Sequence, residues 1–456
     1  MKKILVSIIV LIILGLSACK VGPDYVRPQI VTPEYFIYDS LRNDTTFNLS
    51  WFDLFQDEEL RSLIRIGLEQ NKDLLIAAAR IEEARATVGY NKADLYPSLG
   101  YQATAERSNM SAVGGSTTPY NQFFIAPGIS WEIDFWGKYR RSTEAARAEL
   151  LGTEFGYRNV VVALVSEIAG AYFQLLDYRM RLDISRNTLK SRQVSLNIIQ
   201  ERFNKGYTGE LDLNQAQIQE SVAAAAIPRY ERSIAQTENA LSILLGRNPG
   251  KIDGGKLIDQ VLPPDIPAGL PSNLLERRPD IQEAEASLAA QTARIGVAQA
   301  MRFPSISLTA MLGVASADLS GITLNNNGIW SVSGGLLGPL FDFGKNKRRV
   351  EVERARTEQA LLQYENTILQ SFREVEDALI EIHTYKTEIK AIQDQLVASR
   401  NAAYLSNARY DGGVTSYLEV LDSERTLFDA ELSASQTRQL QLQAYVKLYK
   451  ALGGGW

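Results

Sequence analysis

The same pattern of hydrophobic and polar positions occurs twice along the chain. In the first copy, Leu74 to Ala93 is rich in Ala, Glu, Arg and Ile, which predicts a helix capped by Asp73. Tyr96-Pro97 ends this stretch, and two runs of alternating apolar and polar residues follow. Alternation with period two predicts strands, here as hairpins at about 98–134 and 305–341. The expected apolar face consists of Leu99, Tyr101, Ala103, Ala105, Phe123, Ile125, Ile129, Trp131 and Ile133, and of Ile306, Leu308, Ala310, Leu312, Val314, Trp330, Val332, Leu336 and Leu340.

A very long helical stretch follows each hairpin. Gly137 to Lys205 contains 69 residues without proline; at ~1.5 Å per residue this gives roughly 100 Å of helix. Its counterpart runs from Gly344 to about Tyr410. Turns at Gly206–Glu210 and Asp411–Ser416 send the chain back, and Gly206, Gly209, Gly412 and Gly413 suit the positive φ angles of tight turns. The returning helices are expected at about Leu211–Leu245, with a kink at Pro228, and at Tyr417–Leu452.

The two copies are related by a constant step of 207 residues, since Gly137 matches Gly344 and 344 − 137 = 207. One shared block could arise by chance between Ala-rich helices, but several blocks in one register predict a tandem duplication. The same step relates Asp73 to Asp280, Gly89 to Gly296, Ala93 to Ala300, Pro97 to Pro304, Arg202 to Arg409, Gly206 to Gly413 and Thr208 to Thr415. The predicted divisions are 57–246 as repeat 1, 247–271 as a Gly- and Pro-rich linker, 272–452 as repeat 2 and 453–456 as a tail.

The N-terminus has the pattern of a bacterial lipoprotein signal. Lys2 and Lys3 precede an apolar run from Ile4 to Leu16, which is too short for a membrane-spanning helix of ~20 residues. Leu-Ser-Ala-Cys then places the only cysteine, Cys19, at the position of a lipid attachment site. The sequence therefore predicts a signal peptide at 1–18 and an anchor and extended segment at 19–56. An ordinary signal peptide with an incidental cysteine is the alternative.

Composition narrows the function classes. The net charge of −5 does not indicate the positively charged surface that binds nucleic acid. One cysteine and one histidine, His383, provide neither a disulfide nor a His cluster for a metal ion. Adjacent carboxylates such as Glu82 and Glu83 lie on a predicted helix and are interpreted as a solvated face. We therefore expect no enzyme activity, no metal and no cofactor other than the covalent lipid on Cys19.

Four strands with one apolar face allow two interpretations. They can form part of a membrane barrel, with lipid on the apolar side and water on the other, or a soluble antiparallel sheet with one buried face. No apolar run after the signal approaches 18 residues, so any further membrane crossing must use strands. Four strands cannot close a barrel, which requires several chains. The long helices likewise fit either a hollow tunnel or a solid coiled-coil stalk. Trp131, Trp136 and Trp330 suit either a membrane interface or core packing.

Five motifs, in this order, point to one family: "CKVGPDYVRP", "ARIEEARA", "LYPSL", "SWEIDFWGKYRR" and "GLPSNLLERRPDI". They resemble the outer-membrane factors of tripartite efflux pumps, the family of TolC and OprM, and most of all its lipoprotein, NodT-like branch. The resemblance spans the chain from Cys19 to Leu452. It implies a mainly α fold with a membrane β-barrel: a homotrimer with four strands per chain in a twelve-stranded barrel, continued by a long periplasmic α-helical barrel.

The resemblance also implies function and partners. The protein is expected in the outer membrane as a passive duct that exports drugs, toxic compounds or metals. An inner-membrane pump of the resistance-nodulation-division type would drive export through a periplasmic adaptor. An outer-membrane duct for ABC-driven type I protein secretion is the alternative, and a lipid-anchored structural stalk is a more distant one. Lys20 after the cysteine favours the outer over the inner membrane.

The two turns are the candidate periplasmic gate and adaptor contact. Related proteins often close this end with rings of acidic residues, but Thr415 stands where some relatives have aspartate. Inward-facing carboxylates present in three copies would form a cation-attracting constriction. The candidate residues are Glu210, Asp212, Asp411, Gly412, Gly413, Thr415 and Glu419.

Overall fold

The structure, a computed structural model, describes residues 20–39, 51–109, 119–263, 268–269, 271–323 and 327–455, without the side chains of 52 and 53. The predicted signal peptide, Cys19, the stretch 40–50 of the extended segment and most of the first hairpin loop lie outside the described residues.

Helices dominate the described chain, and the two longest contain 67 residues each. The long helical stretches predicted after each hairpin are confirmed to within one residue at either end. The helices are α1 Trp51–Leu54, α2 Glu58–Gln70, α3 Lys72–Ala93, α4 Lys138–Asn204, α5 Glu210–Leu244, α6 Leu274–Arg277, α7 Pro279–Ala300, α8 Lys345–Asp411 and α9 Tyr417–Ala451.

The strands form one antiparallel sheet in the order β1-β2-β3-β4, with β1 Ser98–Ser108, β2 Tyr120–Ile133, β3 Ser305–Ser316 and β4 Gly328–Leu337. The predicted apolar positions pair with one another. Leu99 faces Ile129, and Ile129 in turn faces Ala310. On the opposite face, Ser130 pairs with Thr309, whose hydroxyl contacts that of Ser333 at 2.6 Å. The sheet therefore has the predicted apolar face and a largely small, polar face.

Two local predictions at element ends were wrong. The helix predicted from Leu74 begins at Lys72, so Asp73 lies inside its first turn, and the side chain of Asn71 accepts from Leu74 N at 2.9 Å. Asn71 also donates to Leu244 O at 2.9 Å, so tertiary contacts favour it as the cap. Strand β4 ends at Leu337, which leaves Leu340 beyond the sheet. Helix α5 continues through Pro228.

The described chain divides into two compact units. Unit 1 contains residues 20–29, 80–154 and 283–365, and therefore the whole sheet. Unit 2 contains the described residues of 30–79, 155–282 and 366–455.

Unit 2 has an aromatic and aliphatic core close to the ends of the returning helices. The ring of Phe55 lies 6.2 Å from that of Phe173 and 6.4 Å from that of Tyr449. A Cβ atom on Gly67 would approach Ile168 Cδ1 to 2.4 Å, so glycine allows α2 to pack closely on α4. Burial of Tyr449 raises its pKa to about 12.

One stretch of α4 is apolar enough to cross a membrane by length and composition, with a mean hydropathy of 1.5 over 18 residues. More than half of that window, 56%, is buried inside the protein. A buried core helix has the same composition, so this window is weak evidence for a membrane span.

Candidate functional site

The two predicted turns in unit 2 share one backbone design. Gly206 and Gly413 have positive φ angles of 76° and 68°. Tyr207 N donates to Arg202 O at 2.8 Å, and Val414 N donates to Arg409 O at 2.9 Å, as in a Schellman end of a helix. The prediction of positive φ was wrong for two of the four glycines. Gly209 has a φ of −82° as the N-cap of α5, and Gly412 is not among the glycines with positive φ.

The turns also repeat one carboxylate contact. The hydroxyl of Thr208 donates to the Asp212 carboxylate, and the hydroxyl of Thr415 donates to the Glu419 carboxylate. The two contacts are related by the step of 207 residues. Thr415, which is not itself acidic, therefore holds an acidic neighbour in place. Glu210 lies exposed in the first turn of α5.

Arginines link these carboxylates in two different ways. Arg202 of the first hairpin lies 3.5 Å from Asp411 of the second, and its guanidinium lies 4.5 Å from the centre of the Tyr410 ring. Arg409 contacts Glu419 at 3.0 Å, within the second hairpin. The first contact joins the two tips, whereas the second stabilises one turn.

An apolar cluster lies behind this polar layer and also joins the two hairpins. Tyr417 is buried, which raises its pKa, and its ring lies 5.4 Å from that of Tyr410. The buried members are Ile199, Leu213, Ala216, Tyr417, Val420 and Leu421. Separating the hairpins would expose these side chains to water, which costs free energy in proportion to the apolar area.

The pKa values of two carboxyl groups near the tips are shifted in opposite directions. The hydrogen bond from Thr415 and the ion pair with Arg409 lower the pKa of the exposed Glu419 carboxyl. In contrast, burial raises the pKa of the Glu424 carboxyl, although Asn407 and the positive charge of Arg192 oppose the shift.

Arg192 is a buried residue whose interactions the sequence did not predict. Only 3% of this residue is exposed, and its guanidinium lies 5.0 Å from the centre of the Phe428 ring. Nη1 donates to Gln219 O at 2.7 Å, while Nε and Nη2 have no hydrogen-bond partner within the described part of the chain. Glu424 and Asp429 provide the negative charge nearby.

The apolar face of the sheet in unit 1 is widely exposed. Tyr101 and Trp330 are 85% and 76% exposed. Such a large apolar surface indicates contact with lipid or with protein. Of the two other tryptophans considered for the membrane interface, Trp131 Nε1 donates to Leu95 O at 3.0 Å, and Trp136 stacks on Phe303 at 4.5 Å. Trp131 and Trp136 therefore pack against the protein, whereas Trp330 presents most of its surface.

The segment that follows Cys19 is fixed in unit 1. Val21 N donates to Trp136 O at 3.2 Å, and Lys20 lies 2.7 Å from Glu144. The side chain of Arg141, which is 1% exposed, donates to the carbonyls of Val21 and Gly22 at 3.1 and 2.8 Å and to Asp24 at 2.8 Å. The residue beside the predicted lipid attachment site is therefore held at the start of α4.

The model of the outer membrane efflux protein family matches residues 63–247 and 270–454. The chain belongs to this family. It is similar to the cation efflux system protein CusC of Escherichia coli O6:H1, with 35% identity over 97% of both chains. It is 33% identical to the toluene efflux pump outer membrane protein TtgC of Pseudomonas putida, over 100% of this chain and 96% of TtgC. The open-state crystal structure of the MtrE outer membrane channel of Neisseria gonorrhoeae has a TM-score of 0.86 and 30% identity, and covers 96% of this chain and 98% of MtrE.

Family membership confirms several sequence-based predictions. The resemblance to outer-membrane factors, the tandem duplication and the mainly helical fold with a few strands agree with these comparisons. The protein is an outer-membrane efflux channel component. Its relatives are efflux channel proteins rather than enzymes.

Proposed function

We propose that this outer membrane efflux protein works as a homotrimer and forms the passive exit duct of a tripartite pump. A periplasmic adaptor and an inner-membrane pump would complete the assembly. The observation that carries the proposal is the four-stranded sheet with one exposed apolar face and two edges. Open sheet edges are not tolerated in lipid, so several chains must complete the wall. The chemical energy would come from the inner-membrane pump.

The proposed cargo is small: drugs, toxic organic compounds or metal ions. CusC is named for cations and TtgC for toluene, and this chain is similar to both to nearly the same extent. A duct with a polar inner surface fits both cargo classes, because the pump selects the cargo and the duct conducts it.

The tips of the two helix hairpins are the proposed gate. In the described conformation, the Arg202–Asp411 ion pair and the apolar cluster around Tyr417 hold the hairpins together. We expect this to be the closed state, which adaptor hairpins open when they engage the turns. Asp212, Asp411, Glu419 and Glu210 supply the negative charge that favours cations at the entrance.

Cys19 is the proposed lipid attachment site, with a diacylglycerol on its sulfur and an acyl chain on its amino group. Support comes from the neighbouring Lys20–Asp24 segment, which Arg141 fixes at the start of α4. Mass spectrometry should find the mature chain beginning with a modified Cys19, and Cys19→Ala should lose the acyl groups. An unmodified thiol in the mature protein would contradict the assignment.

Single-channel recording in planar lipid bilayers tests the duct. The purified protein should insert and produce discrete, cation-preferring conductance steps that rise when the tips are loosened by Arg202→Gln. A matched control is Arg373→Gln, because Arg373 forms an ion pair with Asp377 of the same helix, at 3.9 Å, and not with the other hairpin in the described part of the chain. Absence of conductance from both the wild type and the loosened variant, in protein shown to be inserted, would favour a stalk over a duct.

A further inference from the structure

The two longest helices begin with the same basic residues in different surroundings. Strands β2 and β4 run in the same direction, because both are antiparallel to β3, so α4 and α8 begin beyond the same end of the sheet. Each helix follows a glycine with positive φ, 81° at Gly137 and 82° at Gly344. The step of 207 relates Lys138, Arg140 and Arg141 of α4 to Lys345, Lys347 and Arg348 of α8.

The first two basic residues of α4 are paired with acids from the end of β2. Lys138 lies 2.8 Å from Glu132, and Arg140 lies 3.2 Å from Asp134. Their charges are therefore balanced within the chain.

The second repeat keeps the basic residues but lacks these acids. The equivalent positions are occupied by Pro339 and Phe341. Lys345 and Lys347 are exposed, and neither forms an ion pair within the described part of the chain. Residues 345–349 contain four basic residues and no acidic one. The start of α8 therefore presents positive charge that the chain itself does not balance.

Arg141 and Arg348 differ in the same way. Arg141 is buried under the N-terminal segment 20–29 and donates to two of its carbonyls and to one of its carboxylates. Arg348 is exposed, and its ion pair is with Glu351 of its own helix. Each chain has one such segment and two equivalent helix starts, so the segment covers the first and leaves the second open.

The N-terminal segment also indicates where the membrane surface lies. A Cβ atom on Gly137 would lie 3.2 Å from Lys20 Cα, whereas one on Gly344 would meet nothing within 4 Å. Consecutive Cα atoms are about 3.8 Å apart, so a lipid on Cys19 would enter the membrane close to Gly137. The end of the sheet at which α4 and α8 begin then lies at the level of the lipid headgroups.

Exposed apolar side chains lie beside the basic residues of α8. Leu340, Phe341 and Phe343 each present most of their surface, and the two aromatic rings lie 4.5 Å apart. Lysine and arginine bind phosphate groups, and the apolar side chains suit the acyl chains of a lipid. The combination matches the two chemical parts of a phospholipid.

We propose that the start of α8 binds an anionic phospholipid of the outer membrane. Its phosphate contacts Lys345, Lys347 and Arg348, and its acyl chains contact the apolar residues of 340–343. A separate lipid molecule thus occupies at α8 the place that the lipidated segment of the chain occupies at α4. This inference rests on the proposed attachment site at Cys19, which sets the level of the headgroups.

Native mass spectrometry of the full-length protein in detergent tests the binding. Delipidated protein is titrated with phosphatidylglycerol, which is anionic, and with phosphatidylcholine, which is zwitterionic. The wild type should bind phosphatidylglycerol at least tenfold more tightly. The triple variant Lys345→Gln, Lys347→Gln and Arg348→Gln should lose at least tenfold in this affinity, because each basic residue beside an anionic headgroup contributes about fivefold. Equal affinity of the wild type for both lipids would overturn the site.

Two control variants separate a local site from a general effect of charge. Arg373→Gln, Lys386→Gln and Lys390→Gln remove the same charge from exposed positions at least 25 residues further along the same helix, since 373 − 348 = 25. This variant should keep the affinity, and so should Lys345→Arg with Lys347→Arg, which retains the charge. An equal loss in the distant variant would mean that net charge alone determines binding.

Photolabelling identifies the ligand and its position. Phosphatidylglycerol with a diazirine on an acyl chain should label residues 340–343 of the assembled protein, and inorganic phosphate should not displace it. Displacement by phosphate alone would assign the site to free phosphate. Labelling of these residues in the monomer but not in the assembly would mean that a neighbouring copy covers them, which would also overturn the proposal.

The outcomes distinguish this inference from the proposed anchor. Modified Cys19 without preference for phosphatidylglycerol would overturn the α8 site alone. Unmodified Cys19 with phosphatidylglycerol still bound at 340–343 would overturn the anchor and leave the site.

Discussion

At the residue scale, the feature that links the two helix tips is the ion pair between Arg202 and Asp411. Asp411 is 71% exposed, so the pair is screened and worth only ~0.5 kcal/mol. Three copies acting together would still shift a closed–open equilibrium by about 1.5 kcal/mol, or roughly tenfold. A weak contact suits a gate, because adaptor binding can break it.

Removing this pair should favour the open state. We expect Arg202→Gln and Asp411→Asn each to raise the resting conductance by several-fold, as measured in planar bilayers. The double variant should resemble the single variants, because each change removes the same interaction. Additive effects of the two substitutions would show that they act through different contacts.

The half-buried carboxyl of Glu424 should make stability depend on pH. Burial raises its pKa in the folded state, so the folded protein binds this proton more tightly than the unfolded chain. Its contribution to stability is complete below the ordinary value of 4.5 and is lost as the pH rises through the higher folded-state pKa. Glu424→Gln should therefore raise the melting temperature at neutral pH and change it little below pH 4.5.

Thermal unfolding in detergent at two pH values measures this effect. The exposed Glu358→Gln serves as the control. A lower melting temperature of Glu424→Gln at neutral pH would mean that attraction to Arg192 outweighs the cost of burying the charge.

Some of these residues could be predicted from sequence and others could not. Gly206 and Gly413 were predictable because a helix end followed by a tight return favours a residue without a side chain. The partner of Arg202 could not be predicted, because Asp411 lies in the other repeat and only the packing of the two hairpins brings the two residues together. The burial of Arg192 could not be predicted either, because nothing in its local sequence distinguishes a buried arginine from a solvated one.

At the scale of elements, Arg141 of α4 makes several of the hydrogen bonds that hold the N-terminal segment in place. Arg141→Met should remove the donors to Val21 O, Gly22 O and Asp24 and leave carbonyls without partners, at a cost of about 1–3 kcal/mol. We expect the segment 20–29 to become more sensitive to limited proteolysis, with the new cleavage sites identified by mass spectrometry.

The matched control is the equivalent arginine of the second repeat, Arg348. It is 77% exposed and pairs with Glu351 at 2.6 Å on its own helix. Arg348→Met should therefore leave proteolysis of 20–29 unchanged. Equal sensitivity in the two variants would mean that Arg141 does not hold the segment.

The type and extent of most elements followed from the sequence pattern. Period-two alternation identified the strands, and proline-free stretches identified the two longest helices. The N-cap of α3 could not be predicted from the sequence, because Asp73 and Asn71 are both acceptable cap residues locally. The contact of Asn71 with Leu244 decides between them. The different packing of Gly89 in α3 and Gly296 in α7 was also unpredictable, because the two positions match in sequence. A Cβ atom on Gly89 would meet nothing within 4 Å, whereas one on Gly296 would lie 2.7 Å from Arg141 Nε.

At the scale of the whole molecule, the acidic residues of the tips should determine ion preference. Asp212→Asn combined with Asp411→Asn should lower the ratio of cation to anion permeability by several-fold, because an assembly of three copies would lose six negative charges at the entrance. The reversal potential in a salt gradient measures this ratio. Asp212→Glu, which keeps the charge, should leave it unchanged. Unaltered selectivity in the double variant would place the selective constriction elsewhere in the duct.

The two tips differ at several positions related by the step of 207, and one of them belongs to the ion pair. Asp411 corresponds to Asn204, so Arg202 faces an acid within the chain, whereas Arg409 would face an amide across the boundary between copies. In an assembly of three copies, three interfaces at the tips would contain this ion pair and three would lack it. The interfaces without the ion pair would part first, and full opening would also require the Arg202–Asp411 pairs to break. A disulfide between Arg409→Cys and Asn204→Cys should prevent the first step of opening, while one between Arg202→Cys and Asp411→Cys should allow that step and prevent full opening.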